Sequence, residues 1–258
     1  MITQFGFRAF LVAMAVAMTT VCSSPVTWAQ PTPDGGEFQV NTYTPSYEGH
    51  PDVAMDAAGN FIITWVTINP PDDDLPGIRA RLFSSDGQAS SDEFRVHSTL
   101  GSIDLDPVVD MNGEGASVVV WERSSSVRAQ RLASDGSRLG AELQVGSGDL
   151  SSDLDTDVLV GSDGSFVVAW SSDESDGDDS AGASIQVRRF ACDGSAAGSQ
   201  IQVNTYTSGD QTEPALTALP GGGFLVVWDS VGSAGGETGS GMSATFPRSA
   251  TAFGSTPT

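Results

Sequence analysis

Lysine is absent from this chain. All eleven basic residues are arginine, set against 33 acids for a formal charge of −22. So negative a balance argues against nucleic acid or an anionic membrane surface as a partner, because like charge repels both. Cysteine is nearly absent too, with two in 258 residues. Cys22 falls in the leader-like stretch described below, so Cys192 stands alone in the remainder and a disulfide-built scaffold is excluded. Histidine is confined to His50 and His97, neither in a serine-hydrolase or metal motif, and both read as loop residues. No apolar run after the first thirty residues is long enough to span a bilayer.

The first thirty residues read as a targeting segment. Arg8 supplies a basic start, Ala9 to Met18 form a short apolar core, and Thr27-Trp28-Ala29 ends in a small residue before Gln30. That is the pattern of a cleaved secretory signal. Val21 before Cys22 fits a lipoprotein site poorly, so cleavage is expected after Ala29. The expected organisation is a signal peptide at 1–29, a linker at 30–35, repeats at 36–246 and an irregular tail at 247–258. The protein is expected to be secreted, periplasmic or on the cell surface.

What the chain has in quantity is one pattern written four times. Gly59 to Trp65, Gly115 to Trp121, Gly164 to Trp170 and Gly222 to Trp228 each run from a glycine through β-branched and aromatic residues to a tryptophan. A second landmark precedes each: Val40, Val96, Val145 and Val203 lie 25 residues before Trp65, Trp121, Trp170 and Trp228. A third, the glycine of Asp86-Gly87, Asp135-Gly136 and Asp193-Gly194, stands 9 residues before the next valine. All length variation falls between the tryptophan and that glycine, where the gaps are 22, 15 and 24 residues. Fixed spacing marks strands and tight turns in register, and variable spacing marks a surface loop.

Each unit divides into four short strands, A to D, with no helical periodicity. The predicted fold is an all-β propeller of four-stranded blades. Strand B lacks polar alternation, so it is expected between neighbouring blades with Trp65, Trp121, Trp170 and Trp228 packed at the contacts. The chain opens with a lone strand D at Glu37 to Asn41 and closes with A, B and a C near Met242 to Thr245. Pairing these ends closes four blades; otherwise the propeller is partial.

Pro51-Asp52-Val53-Ala54, Val127 to Leu132 and Glu37 to Asn41 carry a resemblance. The unit resembles the roughly fifty-residue repeat of exported bacterial proteins that runs Pro-x-Val-Ala, Gly-x-Phe-Val-Val-x-Trp, Ile-x-Ala-Gln-Arg-Phe, Asp-Gly, Glu-Phe-Gln-Val-Asn. Such repeats accompany calcium-binding or adhesion modules and carry no catalytic residues of their own. Ser85-Asp86-Gly87 resembles the Asp-box of sialidase propellers but lacks its Thr-Trp.

The D–A and B–C loops should emerge on one face, and they carry 19 of the 33 acids, with Arg123 as the one arginine there. Asp173, Asp176, Asp178 and Asp179 form the densest cluster, and an oxygen-rich loop containing glycine suits calcium. A solvated acidic loop is the plainer reading, because the spacing fails the EF-hand pattern. The strand-C arginines Arg79, Arg81, Arg128, Arg131, Arg188 and Arg189 are expected to pair with neighbouring carboxylates. The function expected from all this is a non-enzymatic binding or adhesion module, calcium-assisted, with an extracellular protein or glycan as ligand. Two alternatives stand beside it. One is a glycan-acting propeller hydrolase, which requires acids converging on a central pocket; the other is an inactive piece of a larger surface protein.

Overall fold

The structure is a computed structural model, and it describes residues 36–68, 77–99, 104–124, 126–147, 155–173, 177, 182–220, 223–231 and 240–245. The chain divides into two compact units, Met1–Phe38 and Gln39–Thr258, and every strand lies in the second.

That unit is built of antiparallel sheets following one another in chain order, and no helix occurs among the described residues. The first sheet holds β1 (Glu48–Met55), β2 (Phe61–Thr67), β3 (Gly77–Phe83) and β4 (Phe94–Arg95). The second holds β5 (Asp104–Met111), β6 (Ser117–Arg123), β7 (Ser126–Leu132) and β8 (Leu143–Ser147). The third holds β9 (Thr156–Val160), β10 (Phe166–Ser172), β11 (Ser184–Phe190) and β12 (Ile201–Gln202). The fourth has three strands, β13 (Gln211–Leu219), β14 (Gly223–Val231) and β15 (Ser240–Thr245). Their first strands stack on one another, β1 on β5, β5 on β9 and β9 on β13, which is the blade-on-blade arrangement of a β-propeller.

Identical turns set the repeat. The N–H of Gly59, Gly115 and Gly164 donates to the carbonyl three residues earlier, and Gly87, Gly136 and Gly194 do the same between the third and fourth strands. All six glycines have φ between 79° and 87°, the left-handed region that a side chain disfavours. The spacing from valine to tryptophan is fixed because these turns tolerate no added residue.

No single core exists. Three slabs of apolar side chains separate the four sheets, and each tryptophan after the first lies in the slab against the preceding sheet. Ile62, Val66, Val119 and Trp121 belong to one slab, Val118, Val120, Val168 and Trp170 to the next, and Val167, Ala169, Val226 and Trp228 to the third. Alternate residues of each second strand therefore serve two different slabs, which is why these strands show no polar alternation. All four tryptophans, Trp65 included, are buried.

Glu37 to Asn41, expected as a strand, forms none. The Val40 carbonyl accepts Arg81 at 2.8 Å, as the Val145 carbonyl accepts Arg188 at 2.8 Å and the Val96 carbonyl accepts Arg138 at 2.9 Å. The segment thus holds the place that the outer strand of a preceding sheet holds elsewhere. These bonds also revise the expected role of Arg81 and Arg188, whose guanidinium groups satisfy main-chain carbonyls of the neighbouring outer strand.

Candidate functional site

Three of the four first strands run further than their apolar pattern suggested, because each of the three continues across a bulge. Register shifts fall between Gly49 and Asp52 in β1, Leu105 and Val108 in β5, and Thr212 and Ala215 in β13. At each bulge the residue before proline takes a positive φ: His50 at 50°, Asp106 at 48° and Glu213 at 53°. That is a sparsely populated conformation for a residue with a Cβ, and such strain collects at functional sites. In the third sheet Thr156 replaces the proline, and Asp155 stands at the corresponding position.

His50 and Asp106, at two of these bulges, meet Asp155 at one cavity of about 330 Å³ where the inner strands begin. It is lined by His50, Asp52, Asp106 and Asp155, together with Pro51, Pro107, Val108 and Thr156. His50 Nδ1 lies 2.6 Å from Asp106 Oδ1. Asp155 accepts the Glu213 N–H at 3.2 Å from the next sheet. Glu122, opposite Leu105 in the β5–β6 ladder, stands beside this cluster. Burial first, and the Asp106 charge second, push its carboxyl up to about 7. The site therefore sets a carboxyl whose pKa is raised to about 7 beside further carboxyl groups, and those are the parts from which a general acid–base couple is built.

Below the cavity, three aspartates tie the inner strands together. Asp52 accepts the Val109 N–H at 2.7 Å, Asp110 that of Val160 at 2.6 Å, and Asp157 that of Leu216 at 2.6 Å. Burial raises the pKa of Asp110 and Asp157. A second ionic group lies between the first two sheets. Arg123 binds Asp104 at 2.5 Å and also pairs with Glu142, which accepts Ser98 and Thr99 N–H groups. All three side chains are buried. His97, expected in a loop, is buried beside them, and its Nδ1 accepts the Ile78 N–H at 3.2 Å.

Of the residues singled out for calcium, Asp173 is exposed at the end of β10, and Asp176, Asp178 and Asp179 lie outside the described residues. No cluster of three or more metal-ligating side chains occurs among the described residues. Glu122, Asp106, Asp155 and Glu213 belong to the acidic set read from the sequence, but as loop residues rather than a constellation. His50 was set aside altogether. A position before proline in one unit, matched by acids in the others, is the signal that marked it.

No family model matches the chain, and no curated protein is similar to it in sequence. Several of the solved structures similar to the chain are named as glycan-cleaving enzymes. An endo-arabinase from Bacteroides thetaiotaomicron shares 17% identity over 79% of this chain and 76% of its own, with a TM-score of 0.47. An α-L-arabinanase from Penicillium chrysogenum shares 14% over 77% and 60%, with a TM-score of 0.49. A xylan β-1,4-xylosidase from Bacillus halodurans shares 11% over 77% and 41%, with a TM-score of 0.43. The expectation of a non-enzymatic binding or adhesion module is thereby corrected. The similar structures are enzymes, and the cavity brings together the acids that the hydrolase alternative required. The sequence holds no motif for such a site, because its acids lie far apart in the chain and meet only where separate sheets come together.

Proposed function

We propose that this protein is a glycan-acting hydrolase whose active site is the cavity at the start of the inner strands. The observation that carries the reading is the convergence of His50, Asp106 and Asp155 from three sheets, with Glu122 beside them and its pKa raised to about 7. Cleaving a glycosidic bond takes one carboxyl that donates a proton to the leaving oxygen and a second, ionised, that acts on water or on the sugar. Glu122 fills the first role. Asp106, oriented by His50, fills the second. The arabinanases and the xylosidase similar in fold act, by their names, on pentose glycans, and a neutral oligosaccharide suits an acidic mouth that repels polyanions. Export, expected from residues 1–29, brings such an enzyme to its polymer. The four sheets are read as a partial propeller.

The test is release of reducing ends from neutral arabino- and xylo-oligosaccharides. Wild type should turn over at least one, and Glu122→Gln should lower kcat about 100-fold or more. Absence of turnover on the whole panel, or full activity in Glu122→Gln, removes the proposal.

A further inference from the structure

The repeat shows which faces of the sheets are meant to be covered, and two are left open. On the inner strands of the second sheet, Val109 and Met111 are 6% and 9% exposed because the first sheet covers them. The equivalent Val53 and Met55 of the first sheet are 57% and 59% exposed. Val53 pairs with Ile63, and Met55 with Phe61, so all four share one face. Ile63 and Phe61 are half-buried, whereas the matching Val119, Phe166, Val168, Phe224 and Val226 are buried. The outer part of this face is covered, since Val40 and Asn41 line a small apolar pocket with Ile63 and Trp65.

The complementary surface lies at the other end of the array. Leu225 and Val227 of β14 occupy the positions of Val118 and Val120 in the second sheet and of Val167 and Ala169 in the third, which press on the following sheet. Both are half-buried, and their partners across the ladder, Thr217 and Ala215, are exposed. Among the described residues, no further sheet packs on this face of β14 as the second, third and fourth sheets pack on the ones before them. β13 packs on β9 but not on β1 in this way. It also carries Ala215 and Thr217 where Asp52, Asp110 and Asp157 reach out to the next inner strand.

We infer that the open face of the first sheet is a docking surface for the fourth sheet of a second copy of this protein. The chain carries both halves of a contact it makes three times internally, and a second copy supplies each missing half. The association is head-to-tail, so one molecule uses two different surfaces. The N-terminal segment at Val40 and Asn41 already holds the outer-strand place beside the docked sheet, which has only three strands of its own. A charge of −22 on each copy opposes association, and added salt relieves that repulsion.

Sedimentation velocity over a concentration series tests this. Wild type should gain mass with concentration, and more so at high salt. Met55→Asp blocks one face and Thr217→Asp the other, both at exposed positions, so each variant should stay monomeric with an unchanged melting profile. Mixed in equal amounts, they should form a dimer and nothing larger, because each lends the other its intact face. A wild type that is monomeric throughout overturns the inference, as does a mixture that remains monomeric. Monomeric wild type with Met55 protected from oxidation would identify the occupant as the chain's own fourth sheet, again overturning it.

Discussion

Glu122 shows how little local sequence says about a side chain's chemistry. It follows Trp121 in a strand, and nothing nearby in sequence distinguishes it from the other acids. Burial and the Asp106 charge raise its pKa to about 7. Two consequences follow at this scale. As a proton donor it should make turnover fall as pH rises through about 7, the value of its raised pKa. Its folded pKa lies above the ordinary 4.5, so it favours the fold at acid pH, and that contribution fades as pH rises from 4.5 through about 7. Glu122→Gln should flatten that limb of a plot of melting temperature against pH. Glu142 behaves oppositely: burial opposes its charge, but the hydrogen bond and charge of Arg123 together with the Ser98 and Thr99 N–H groups outweigh this and lower its pKa. Its contribution is present above the usual carboxylate range and lost as pH falls below it. Removing Arg123 strands two buried carboxylates, so Arg123→Ala should cost about 3–5 kcal/mol in chemical denaturation.

Among the elements, the inner strands do two jobs, and a bulge separates them. Above it, strained residues point into the cavity. Below it, aspartates clasp the next strand. Asp157→Ala leaves the Leu216 N–H without its acceptor and should cost about 1–3 kcal/mol, while Asp157→Asn keeps an acceptor oxygen and should cost less. The second strands carry the packing. Trp121 is fully buried in the first slab, and Trp121→Ala should cost about 3–5 kcal/mol in urea denaturation. These strands were legible from the sequence because their pattern is local: a turn glycine, a β-branched run and an indole at fixed spacing. The bulges were not, because Asp-Pro and His-Pro before an apolar run look like the end of a loop. Only the ladder shows the strand resuming beyond them.

At the scale of the whole molecule, repetition makes the ends exceptional. Inner sheets are covered on both faces, while the first and last each keep one face open. Self-association should therefore respond separately to Met55 and to Thr217, while the catalytic pH profile, which depends on the cavity, should remain as in wild type. On the two proposals, the acidic charge that the composition announced favours neutral glycans at the mouth and makes contact at the ends salt-dependent.

The sequence by itself determined the all-β repeat, the strand order, the position of the tight turns and the burial of the four indoles. Those features depend on residues a few positions apart, and their spacing survives in one dimension. Only the tertiary structure decided that His50, Asp106 and Asp155 share a cavity with Glu122 beside it, and that Val53 and Met55 face solvent where Val109 and Met111 do not. Those outcomes depend on which sheet stands next to which. A residue's distance along the chain carries no record of that neighbour.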